Sequence, residues 1–81
     1  MVSKNRVPLT LEEHRELGRE MKQTAARLRT LCDLMIDVYG PQSRTAFSFL
    51  KALEALENLG MDMQAQASQD LPGYDGKDLY L

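Results

Sequence analysis

Cysteine and histidine each occur once in this chain, as Cys32 and His14, and tryptophan is absent. A lone thiol excludes an intrachain disulfide, and one histidine with one cysteine cannot build a structural zinc site. The three prolines stand at positions 8, 41 and 72, leaving two long stretches free of any helix breaker. No apolar run approaches the roughly 20 residues of a membrane span. The opening Met-Val-Ser-Lys-Asn-Arg-Val-Pro lacks the apolar core of a secretory signal. With the single thiol, this points to the cytoplasm. Gly-rich phosphate loops, Ser/His/Asp arrangements, CxxC pairs, internal repeats and low-complexity runs are also missing.

A strong apolar period is present instead. Leu11, Gly18, Ala25, Cys32 and Tyr39 form one seven-residue column, and His14, Met21, Leu28 and Met35 a second. Leu17, Thr24, Leu31 and Val38 form a third. Residues three and four apart stack on one helix face, so the columns merge into one stripe, opposite Glu12, Glu16, Arg19, Glu20, Gln23 and Asp37. Thr10 with Glu13 fits a capping box at the start, and Gly40-Pro41 a stop at the end. The spacing predicts one helix over about 10–39, roughly 45 Å long. Small residues at 18, 25 and 32 suggest a seam where a facing helix comes close.

The second half repeats the pattern after a short connection. Ser43 is a fitting cap, and Ala46, Phe49, Leu53, Leu56, Gly60, Met63 and Ala67 run at spacings of three and four. Leu50, Ala52 and Leu59 widen the stripe. Gly60 could end the helix, yet the stripe passes through it, which predicts helix over about 43–69. Residues 1–9 read as a polar arm and residues 70–81 as a tail. Turn signals stand at Pro72-Gly73 and Asp75-Gly76, but Leu71, Tyr74, Leu79, Tyr80 and Leu81 are too apolar for a purely solvated end. The tail is expected to pack back on the bundle, with a docking peptide as the alternative.

Charge is uneven. Residues 1–30 carry seven cations against four acids, for +3, and residues 31–81 three against eight, for −5, which leaves −2 overall. Two copies packed antiparallel could match these halves.

These residues bear on several chemistries. Glu12, Glu13 and Glu16, with Asp33 and Asp37, suggest an acidic helix that holds magnesium. Glu16 and Asp33 stand roughly 25 Å apart along one helix, so only a second copy could converge them. His14 lacks a partner set for metal or base work and reads as a partly buried histidine near a helix start. Cys32 reads as a small buried hydrophobe. Glu54 and Glu57 read as solvation of helix 2 and as partners for a cation across a helix boundary. Arg15, Lys22 and Arg29 form a basic column. Without interleaved aromatics it favours pairing with acids that flank a seam over binding nucleic acid.

The expectation is therefore an all-α chain, an antiparallel two-helix hairpin that dimerises into a coiled-coil-like four-helix bundle. A short chain with two long apolar stripes and no staple needs association to cover them. The core and interface residues are Leu17, Gly18, Met21, Ala25, Leu28, Leu31, Cys32, Met35, Phe49, Leu53 and Leu56. Phe47, Tyr74, Leu79 and Tyr80 are candidate contacts for a partner. The expected function is a small non-catalytic protein–protein interaction or regulatory module, a homodimer that also engages another protein through its tail. It is expected to lack catalytic, cofactor and metal residues and to have no membrane contact. A metal-dependent hydrolase-like or nucleic-acid-binding bundle is the alternative.

Overall fold

The computed structural model describes residues 7–74 and 79–81. The first six residues of the polar arm and the Asp75-Gly76 turn signal lie outside them.

Helix α1 spans Leu11–Tyr39. Its capping box is complete: Thr10 Oγ1 accepts from the Glu13 amide at 3.1 Å, and the Thr10 amide donates to Glu13 Oε1 at 2.9 Å. Glu12 and Glu13 place negative charge where the helix dipole is positive. The helix stops at Gly40, whose φ of 93° is costly for any residue with a Cβ, while its amide still donates to the Ile36 carbonyl at 2.9 Å. Helix α2 spans Arg44–Asp70. The Ser43 hydroxyl caps it by accepting from the Ala46 amide at 3.1 Å. Gly60 does not end this helix. Beyond the Leu71 cap, Pro72 cannot continue the ladder, and the Tyr74 amide closes a turn on the Leu71 carbonyl at 3.1 Å.

The two helices pack along each other as an antiparallel hairpin, with no strand among the described residues. No helix among them is long and apolar enough to cross a membrane. Near the turn the seam is closed by small and medium side chains, with Cys32, Ala46 and Leu53 buried. Met21, Ala25, Leu28, Met35, Phe49 and Leu56 are half-buried along it.

At the open end the seam holds a third segment. Leu79 and Tyr80 return from beyond α2 and cluster with Ala67, against Leu11, Met21, Met63 and Leu71. Gly18 serves this return, which corrects the expectation of a close facing helix there. A Cβ built on Gly18 would stand 1.9 Å from the Leu79 carbonyl oxygen and 2.9 Å from its carbon. Those neighbours are backbone, so no rotamer change could relieve the overlap. At Gly60 the nearest atom to such a Cβ, the Tyr80 carbonyl oxygen, is 3.5 Å away, an ordinary contact. Leu79 and Tyr80, expected as candidate contacts for a partner, are 8% and 5% exposed within their own chain. Phe47 and Tyr74 remain exposed.

The two glycines should therefore respond oppositely to alanine. Gly60→Ala gains helix propensity of up to about 1 kcal/mol. Gly18→Ala gains the same propensity but must expel the tail, so it should lower stability overall. Urea denaturation followed by circular dichroism checks this. Equal signs for the two variants would contradict the placement of the tail.

Candidate functional site: a buried carboxylate, imidazole and phenol

His14 lies one turn into α1, in the stripe that faces α2. An antiparallel hairpin brings the start of α1 beside the end of α2, and Asp70 is the last residue of α2. Tyr80 arrives with the returning tail. The imidazole is fully buried between them, with Nδ1 2.6 Å from the Tyr80 hydroxyl and Nε2 2.9 Å from Asp70 Oδ2. The two rings meet edge to face, centroids 5.7 Å apart and planes at 89°. Outer contacts hold the partners: Gln66 donates to Asp70 Oδ1 at 2.9 Å, and Gln64 Oε1 accepts the Tyr80 amide at 3.0 Å. Among the described residues no buried side-chain polar atom lacks a hydrogen-bond partner.

Proton placement follows from the partners. A carboxylate only accepts, so His14 Nε2–H donates to Asp70. In the neutral ring Nδ1 then accepts from the Tyr80 hydroxyl. In the imidazolium Nδ1–H donates instead, and the Tyr80 oxygen accepts. The hydrogen bond from Gln66, followed by that from His14, holds the Asp70 carboxyl below its ordinary range, and the Leu9 amide adds to this against the effect of burial. Burial, then the Asp70 charge, pushes the Tyr80 phenol above its ordinary value.

A carboxylate, an imidazole and a hydroxyl in series form the same relay that activates hydroxyl nucleophiles. Here the hydroxyl has no access to a substrate, since His14 is 0% and Tyr80 5% exposed. The arrangement can hold a tail; in this closed form it cannot present a nucleophile.

The remaining candidates are dispersed. Among the described residues no three His, Cys, Asp or Glu side chains gather as metal ligands. Glu12, Glu13, Asp33 and Asp37 are exposed, and Glu16 pairs with Arg19 on its own helix. Cys32 is a buried free thiol. Arg29 reaches Glu57 across the seam at 3.7 Å, so the uneven charge of the two halves is partly matched within one chain. Both side chains are more than half exposed, and such a pair contributes little stability.

That pair also distinguishes the two sides of the hairpin. The column Arg15, Lys22 and Arg29 and the column Leu50, Glu57 and Gln64 share the side it bridges. Phe47 stands on this side too, with the Lys51 ammonium 5.7 Å from its ring centre. The opposite flanks of the two helices therefore share the other side. They carry Leu17, Thr24, Leu31 and Val38 from α1 and Thr45, Ala52, Leu59 and Gln66 from α2, with no charge in either column. Leu31 is 45%, Val38 59% and Leu59 47% exposed. Leu17 and Leu31, read as core or interface, lie on this bare flank and outside the seam.

Sequence reasoning did not assemble the clasp. Its partners lie 56 and 66 residues from His14. The hairpin register could have placed Asp70 beside His14, but nothing local announces Tyr80.

Two outcomes follow. Tyr80→Phe leaves the buried His14 Nδ1 without a partner and should cost about 1–3 kcal/mol in urea unfolding; a neutral result would contradict the bond. Asp70 has a lowered folded pKa, so its contribution is present above the ordinary carboxyl value of about 4 and fades as pH falls through the folded one. Tyr80 has a raised folded pKa, so its contribution is present below about 10 and fades as pH rises through the folded value. Unfolding midpoints measured down to about pH 3 should fall more steeply for the native chain than for Asp70→Asn. Parallel profiles would remove Asp70 from the clasp.

Comparison with protein-family models, with curated proteins and with solved structures found no match to this chain.

Proposed function

We propose that this chain is a small non-catalytic interaction or regulatory module that acts as a homodimer, two hairpins closing into a four-helix bundle. The supporting observation is the bare flank from Leu17 to Val38 with Leu59 beside it. Uncharged over about six α1 turns and apolar but for Thr24, it matches the surface that a second hairpin must cover. A two-fold axis would lay this flank on its own copy, an isologous contact that closes at two chains. The side bridged by Arg29 and Glu57 stays outward, leaving Phe47 available to other proteins. The metal-dependent and nucleic-acid readings gain nothing from the geometry, because the acids among the described residues stay apart and Arg29 of the basic column pairs with Glu57. The reading includes a cytoplasmic location, which the free thiol of Cys32 supports.

Sedimentation equilibrium tests the reading. The native chain should sediment as two copies at tens of micromolar. Leu31→Glu with Leu59→Glu should sediment as one copy, whereas Phe47→Glu on the opposite side should leave the mass unchanged. Leu31 and Leu59 are about half exposed within one hairpin, so in a monomer these substitutions should stay near ±0.5 kcal/mol. A native chain of single-copy mass at every concentration would overturn the proposal.

A further inference from the structure

We infer that the groove between Gly18 and Gly60 is a peptide-reading site for a Leu-Tyr segment, and that residues 79–81 of a second copy of this chain can occupy it. The groove reads both main chain and side chain. Gly18 admits the Leu79 carbonyl where any Cβ would collide. Gln64 Oε1 accepts the Tyr80 amide, and the Tyr80 carbonyl oxygen lies over Gly60 at ordinary contact distance. The phenol is read by His14, itself oriented by Asp70. Phenylalanine would fill the same space and leave Nδ1 unpaired, so the site discriminates by the hydroxyl. Leu81 is exposed beyond it, at a cleft of about 490 Å³ that Lys22, Arg29, Glu57 and Met61 also border.

Each of these contacts runs from the tail to a helical residue, and only the eight residues 71–78 join the tail to α2. The same contacts form if the segment comes from another chain. So short a tether gives the chain's own tail an effective concentration in the millimolar range, so isolated copies keep their own tails. In the native protein, exchange therefore rests on the homodimer proposed above, which brings a second tail to comparable concentration. The groove's preference for Leu-Tyr does not depend on it.

The test uses full-length variants and the peptide Lys-Asp-Leu-Tyr-Leu, identical to residues 77–81. Titrated into Tyr80→Ala and followed by NMR, it should give saturable shifts at the Gly18 and Gly60 amides with a midpoint at or below about 1 mM. The peptide with phenylalanine in place of tyrosine should bind roughly tenfold more weakly. No saturation, or equal binding of the two peptides, overturns the site. If Tyr80→Ala loses its helical spectrum, Tyr80→Phe keeps the ring and Leu79, and the two peptides should compete with its tail in the same order of affinity. Mixing His14→Leu, which has an intact tail, with Tyr80→Ala, which has an intact groove, tests the second copy as occupant. A one-to-one heterodimer more stable than either variant is expected. A mixture that behaves as the sum of its components overturns the exchange. The peptide arm remains readable in the Leu31→Glu, Leu59→Glu background, so failure of the flank dimer is distinguishable from failure of the groove.

Discussion

A fully buried imidazole tolerates no missing partner. Each ring nitrogen left without a hydrogen bond in a water-free site costs on the order of 1–3 kcal/mol, a sizeable share of a small domain's stability. His14 meets this constraint only when the end of α2 and the returning tail are both in place. Three segments remote in sequence are thereby made to assemble together or not at all. The glycine at position 18 belongs to the same constraint, because the tail carries Tyr80 to His14 only if its backbone can pass over α1 at contact distance.

The constraint also accounts for where the core lies. A two-helix hairpin buries one stripe of each helix and leaves the rest wet. Near the turn, Cys32, Ala46 and Leu53 suffice to close the seam. At the open end the tail occupies it, and its Leu79 and Tyr80 become the most completely buried large apolar side chains of that end. What the tail does not cover is the uncharged flank, and the proposed role of the chain follows from that remainder. One side of the molecule bears paired charges suited to water, and the other bears leucines and a valine suited to a neighbour.

Much of this was legible in local pattern. Both helices follow from stripes spaced three and four apart. The start of α1 follows from Thr10 and Glu13, its end from Gly40 and Pro41, and the start of α2 from Ser43. These features act over a few residues, where backbone geometry decides. The clasp was not legible for the opposite reason. A histidine in a stripe, an aspartate at a helix end and a tyrosine in a tail are each unremarkable, and only the tertiary path of residues 79 and 80 joins them. Gly18 shows the same division: its smallness signalled a close approach, but the sequence around it could not say whether a helix or a tail would approach.

The central claim is that the tail is an ordered part of the hairpin, held by His14. Backbone amide relaxation in the native chain tests it most directly. Order parameters for Leu79 and Tyr80 are expected near 0.85, like those of the helices, with ring-to-ring contacts between Tyr80 and His14. Values below about 0.6 for both residues, with no such contacts, would contradict it.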